Sequence, residues 1–290
     1  ILLKTTYAES MASLAPGRLL LYLFLREQLT LDGGKPIHFY TNATRDQKEW
    51  STTQSQILDM QIFKTPLYAG AFSAARAFRR KLHITRGDRR PPQIESRTPN
   101  VTECNGVDTL SPSQYDLRDF VGRDCMESSV DWFRLLQRTI YPSDPGVRYY
   151  VVAETNIPLV ILPVRLTVNR LVKSVTSLSN YYTSLYGPLV RQDSNPLSLG
   201  HALATAVREN KGIQVMRFAP MDPNASTYAA LLSGLRANDW VPFQFSCFGN
   251  WFLPVRGTWQ DYLKSRSRNL RSSIVRRCKK YAIEGGTIEI

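Results

Sequence analysis

The chain has 290 residues, 43% hydrophobic and 21% charged, a composition that fits one large or two ordinary globular domains and excludes a disordered or collagen-like chain. Its formal charge of +13 favours anionic partners such as phosphorylated cofactors, nucleic acid or acidic lipid surfaces, and says nothing about fold. Cys104, Cys125, Cys247 and Cys278, with His38, His83 and His201, show no metal-ligand spacing, so no metal site is expected.

In chain order, residues 2–7 read as a short strand. Residues 17–31 are apolar at nearly every position, the pattern of a buried helix, and Asp32-Gly-Gly34 ends it. Residues 36–41 read as a strand, 46–54 as a polar stretch around Trp50, 56–63 as a strand and 67–82 as a helix. Residues 84–114 are poor in apolar residues and rich in turn formers, and read as a linker. A helix is predicted over 129–139, followed by strands at 148–154 and 158–164. Further strands are expected at 185–190, 212–219, 240–247 and 250–255, with helices at 197–208 and 226–237. Strands alternating with helices predict an α/β domain. Residues 259–281 form a strongly basic helical run, and a closing strand is expected at 287–290.

Several features invite a functional reading. Ala12-Ser-Leu-Ala-Pro-Gly17 is a turn of small residues opening the first long helix, where unpaired amides and the helix dipole attract anions. Pro at the first helical position is also an ordinary helix start. The basic run carries Lys264, Arg266, Arg268, Arg271, Arg276, Arg277, Lys279 and Lys280 against Asp261 alone, with Leu263, Leu270, Ile274, Cys278 and Tyr281 on one stripe. On its residues alone it reads as a phosphate-binding nucleic-acid helix or a solvated face. Tyr181, Tyr182 and Tyr186 read as loop packing in preference to substrate contact. No Gly-x-Ser-x-Gly motif, P-loop or complete dinucleotide fingerprint is present.

The Ala12–Gly17 turn resembles the Arg/Gln-x-x-Gly-x-Gly/Ala turn of the acyl-CoA N-acyltransferase (GNAT) superfamily, with Ala12, Ala15 and Gly17 at the matching positions. Ala15-Pro-Gly17 is similar to the Ser-Pro-Gly-type turn of its FemAB-like branch, which includes the cellulose-biosynthesis-type acetyltransferase domain. Asp46, Lys48 and Trp50 resemble that branch's aspartate, lysine and tryptophan after the next strand. Residues 265–286 resemble its Ser-x-x-x-Arg-Asn-Leu-Arg…Gly-Gly segment, which implies a helix beside the donor and acceptor groove, and 132–189 resemble its N-terminal half.

The resemblance implies a mixed-sheet α/β fold of GNAT type, permuted or incomplete, because the basic run follows the glycine turn instead of preceding it. It implies residues 1–83 as the C-terminal half of one lobe and 84–114 as a linker. Residues 115–256 would be an N-terminal lobe, and 257–290 the basic helix and first strand of a second lobe. A permutation, a fragment spanning two copies and a join of two genes each fit that order, and both chain ends read as cuts. It further implies acetyl-CoA as acyl donor at Leu14, Ala15, Gly17 and Arg18. The amine acceptor, on a sugar, polysaccharide or cell-wall precursor, would meet Lys48, Trp50, Arg268 and Arg271. Tyr7 and Asp46 are the implied catalytic candidates. With no apolar run long enough to span a bilayer and few, scattered cysteines, a cytoplasmic location is expected. The competing expectation is a non-enzymatic basic protein that binds nucleic acid or an anionic membrane.

Overall fold

The computed structural model describes residues 9–31, 36–40, 45–79, 100–109, 120, 126–154, 157–168, 172–191, 194–195, 200, 203–204, 207–208 and 212–284. The helices are α1 (Pro16–Gln28), α2 (Arg45–Trp50), α3 (Pro66–Arg79), α4 (Val130–Thr139), α5 (Ser226–Ala237), α6 (Trp259–Lys264) and α7 (Arg268–Ile283). The strands are β1 (Ile37–Tyr40), β2 (Thr53–Phe63), β3 (Asn100–Cys104), β4 (Val147–Glu154), β5 (Ile157–Val168), β6 (Lys173–Ser177), β7 (Leu189–Val190), β8 (Ile213–Met221) and β9 (Val241–Leu253). The architecture is α/β with a mixed sheet, the class the sequence predicts. Two compact units divide the chain, one of residues 1–55 with 249–290 and the other of residues 56–248.

The larger unit is built on a sheet in the order β2–β8–β6–β5–β4–β3, with β7 beside β5. β6 and β8 run parallel, and the other pairs in this unit are antiparallel. Tyr149, Val151, Ile161, Val164, Val175, Met216 and Phe218 pack from the sheet with Phe133 and Leu136 of α4 and Leu231 and Leu235 of α5. α4 forms because Ser129 caps it, its Oγ accepting from Trp132 N–H at 3.2 Å, and because Val130, Trp132, Phe133 and Leu136 share one side. Its opposite side holds Arg134 and Arg138, which donate to Asp108 at 2.8 and 2.9 Å and pull that carboxyl below its usual range.

Three expectations change here. Asn100–Cys104, inside the stretch read as a linker, is β3, held by pairing with β4 from Asn100↔Ala153 to Cys104↔Tyr149. The two strands expected around 240–255 are one continuous β9. Tyr186 is buried and donates to Pro163 O at 2.6 Å, whereas Tyr181 and Tyr182 are 95% and 64% exposed and meet each other edge to face, ring centres 5.4 Å apart.

In the smaller unit, β1 pairs antiparallel with the end of β9, from Ile37↔Leu253 to Tyr40↔Asn250. Leu25 and Leu29 of α1, Trp50, Leu253, Trp259, Tyr262, Leu270 and Ile274 form its core. The single basic run of the sequence is two helices. Thr258 and Ser267 cap them, accepting from Asp261 N–H and Leu270 N–H at 3.2 Å each, so the chain turns at Ser265–Arg266 between them. No helix among the described residues is long and apolar enough to cross a membrane.

Candidate functional site

The start of α1 carries the small-residue turn singled out in the sequence. A 3-10 turn, Glu9–Leu14, feeds directly into it. Ala15, the residue before the helix, sits in the left-handed region at φ 50°, ψ 58°. A residue with a Cβ pays about 1–2 kcal/mol for that conformation, so surrounding structure must hold it there. Leu14 is buried and anchors the turn by its side chain.

The mouth of the helix offers fewer amides than the sequence led one to expect. Ala15 N–H donates back to Ala12 O at 3.1 Å, and Pro16 has none to give. Arg18 and Leu19 N–H both donate to Ala15 O, at 3.0 and 3.3 Å. Among the described residues, Gly17 N–H is the remaining donor of this first turn.

Arg18 Nη1 donates to Ser273 Oγ of α7 at 3.3 Å, and Arg277 Nε donates to the same oxygen at 3.4 Å. Arg18 Nη2 also donates to Glu49 Oε2 of α2 at 2.8 Å. Ser273 is buried, so two guanidinium groups converge on one enclosed hydroxyl beside the Ala15–Gly17 turn. α1 and the 3-10 turn both pack on α7, which fixes this arrangement.

No protein-family model matches the chain, and no curated protein matches it. The chain is similar in structure to Eis1 from Mycobacterium abscessus, at 14% identity and a TM-score of 0.41. That alignment covers 86% of this chain and 54% of the other, so this chain spans about half the length of that structure.

The remaining sequence-predicted residues fall into distinct places. Lys48 is exposed, its Nζ 5.1 Å from the centre of the Trp251 ring, a cation–π contact within the same unit. Trp50, expected at the substrate, is enclosed in the core cluster with Leu25, Trp259, Tyr262 and Leu270. Arg268 and Arg271 are exposed on α7. Asp46 lies on α2, its side chain outside the described residues, as is all of Tyr7. The closing Gly285-Gly286 and the strand expected at 287–290 also lie outside them.

Sequence reasoning did not single out Glu49 or Ser273, and it named Arg277 only as one cation of the basic run. Ser273 and Arg277 stand four apart, one helical turn, and that spacing within the basic run is the only local signal that one could reach the other.

A second polar cluster lies in the larger unit. Arg217 of β8 holds the buried Asp59 of β2 with both carboxylate oxygens, Nε at 3.1 and 3.0 Å and Nη2 at 2.7 Å. Burial first and the Asp59 charge second push the Cys247 thiol up, so it stays protonated at neutral pH and is no ready nucleophile. No group of three or more His, Cys, Asp or Glu among the described residues could hold a metal ion.

Proposed function

We propose that the chain is an N-acyltransferase that takes an acyl group, acetyl in the simplest case, from acyl-coenzyme A and places it on an amine of a sugar, polysaccharide or cell-wall precursor. The observation that carries this reading is the convergence of Arg18 and Arg277 on Ser273 Oγ beside the left-handed Ala15 turn. In this reading the coenzyme's pyrophosphate sits at Gly17 N–H and exchanges Ser273 for phosphate oxygen at the two guanidinium groups. Planar guanidinium forks suit phosphate, and a helix start adds the favourable end of its dipole.

The reaction needs no covalent enzyme intermediate. The acceptor amine attacks the thioester carbonyl carbon, the carbonyl oxygen takes the developing negative charge, and the C–S bond then breaks. The amine loses one proton, and the departing thiolate gains one. A backbone N–H near the thioester oxygen and a proton acceptor near the amine are the two groups that would speed it. Asp46 and Tyr7 are the proton-handling candidates, on the resemblance alone. Lys48 over Trp251 would face the acceptor, where an aromatic face and a cation suit a sugar bearing acidic groups.

The test is calorimetry of the full chain with acetyl-CoA, desulfo-CoA and dephospho-CoA. A near-stoichiometric site is expected for all three, since each keeps the pyrophosphate that the site is read to hold. Arg277→Gln and Arg18→Gln should each weaken it about tenfold or more, since a hydrogen bond to a charged group contributes about 1.5–3 kcal/mol. Absence of heat with acetyl-CoA, from chain whose melting is cooperative, rejects the reading.

A further inference from the structure

Helix α7 carries Arg268, Arg271, Arg276, Arg277, Lys279 and Lys280 and no acid between residues 268 and 283. Its inner side is committed: Leu270, Ser273 and Ile274 are buried, and Arg277 reaches Ser273. Lys280 is paired with Glu284 at 3.8 Å. Arg268, Arg271, Arg276 and Lys279 are exposed and have no acidic partner among the described residues. At 3.6 residues per turn, Arg268, Arg276 and Lys279 fall within about 80° of one another, opposite Leu270 and Ile274.

Two aliphatic side chains share that outward sector. Val275 is 56% exposed and Ile283 is 84% exposed. In water they are placed at a cost, and they lie among the cations instead of behind them. A phosphodiester ridge has no apolar recess for an isopropyl or sec-butyl group, and this face bears no aromatic ring on which a base could stack. The headgroup–acyl boundary of a bilayer takes both chemistries at once, cations at the phosphates and aliphatic groups just below them.

We infer that the outward face of α7 docks on an anionic lipid bilayer, with Arg268, Arg276 and Lys279 at the headgroup phosphates and Val275 and Ile283 entering the interface. Arg268 is also among the residues implied for the amine acceptor, so the test rests on Arg276, Lys279, Val275 and Ile283, none of which the acyltransferase reading uses. Docking of this kind weakens with ionic strength, since headgroup attraction falls off within a Debye length.

The experiment is co-sedimentation of the full chain with phosphatidylcholine vesicles, with and without phosphatidylserine, at low and high salt. Binding is expected only where phosphatidylserine is present, and it is lost at high salt. Neutralising one near-surface cation costs about fivefold in affinity, so the double variant R276Q/K279Q should lose about 25-fold. The double variant V275S/I283S should lose several-fold on the same vesicles while binding duplex DNA as the unaltered chain does. Melting temperatures within the spread of replicates confirm that these exposed changes leave the fold intact. Failure to bind phosphatidylserine vesicles at low salt overturns the proposal, as does equal binding to neutral vesicles. Tighter binding to duplex DNA than to vesicles, with V275S/I283S indistinguishable from the unaltered chain on both, assigns the face to nucleic acid and overturns it too.

Discussion

The Tyr262 hydroxyl donates to the Trp50 carbonyl at 2.6 Å, joining residues 212 positions apart in the chain. Both residues are buried in the core of the smaller unit, and burial holds the Tyr262 phenol well above its ordinary pKa. The bond closes the end of α2 on α6. Tyr262→Phe keeps the ring and its packing against Trp259 but leaves the Trp50 carbonyl enclosed without that donor. An unsatisfied buried acceptor costs about 1–3 kcal/mol. Urea unfolding of the Tyr262→Phe chain should show a lower midpoint with an unchanged slope.

Much of the fold was legible because its signals are local. α1 was readable from an unbroken apolar run, and α4 from a serine cap followed by apolar residues on one side. What was not legible depended on distant partners. β6, Lys173–Ser177, has Val175 as its one aliphatic residue and becomes a strand because β5 and β8 flank it on both sides. α2 is six polar-rich residues, with Trp50 as its buried anchor. β9 was expected as two strands, 240–247 and 250–255, with Gly249 falling between them. The strand runs through it, and the Gln54 and Trp251 side chains crowd the space a larger residue would need. At the candidate site, Ala15–Arg18 could be singled out in advance, whereas Glu49 and Ser273 acquire meaning only once α2 and α7 are brought to α1.

Gly146 marks a second consequence of long-range packing. Its carbonyl accepts from Leu166 N–H at 2.7 Å, and a Cβ at this position would overlap the Leu166 carbonyl oxygen. The same turn is held by Asp144, whose Oδ1 accepts from Gly146 N–H at 2.7 Å and whose Oδ2 accepts from Arg165 at 2.6 Å. Gly146→Ala pushes two backbone segments apart, so a loss of about 1–3 kcal/mol is expected, the usual cost of overpacking. Thermal unfolding measures it, and an unchanged melting temperature would contradict the close approach.

The Asp144 carboxyl also sets an acid limit. The Gly146 N–H and then Arg165 hold its pKa below the ordinary carboxylate range. The unfolded chain therefore binds this proton more readily than the folded one. The group's contribution is fully present above pH about 4 and is lost as the pH falls through the depressed folded value. Asp144→Ala should lower stability near neutrality and flatten the acid side of the stability profile, which urea midpoints across acidic pH would record.

Buried phenols set the alkaline limit. Tyr149, Tyr186, Tyr228 and Tyr262 all have raised pKa values, with burial the largest cause in each, and Tyr228 is pushed up to about 12. The unfolded chain ionises these groups near their ordinary pKa, while the folded chain keeps them neutral. They leave stability untouched below pH about 10, and each then costs up to about 1.4 kcal/mol per pH unit as the pH rises toward its folded value. Phenolate absorbance of these four should appear together with loss of structure. Their titration in a chain that remains folded would contradict the burial described.

Glu49 gives the sharpest test of the α1 turn, because the candidate site and the fold make opposite demands on it. Its carboxylate accepts from Arg18 at 2.8 Å, and the side chains are 27% and 18% exposed, so the ion pair is partly shielded from solvent. As a structural tie it links α2 to α1. As a neighbour of a phosphate site it is a like charge that any incoming diphosphate must meet. Glu49→Gln keeps an oxygen that can accept from Arg18 and removes the negative charge. Stability should fall by about 1 kcal/mol or less, as for a partly exposed ion pair. Affinity for acetyl-CoA should rise about fivefold, because removing a like charge a few ångströms from a phosphate near the protein surface relieves on the order of 1 kcal/mol of repulsion. Calorimetry and thermal unfolding on the same preparation separate the two effects. Reduced affinity together with reduced stability would mean that Glu49 acts only to position Arg18, and that the Arg18–Glu49 pair is structural.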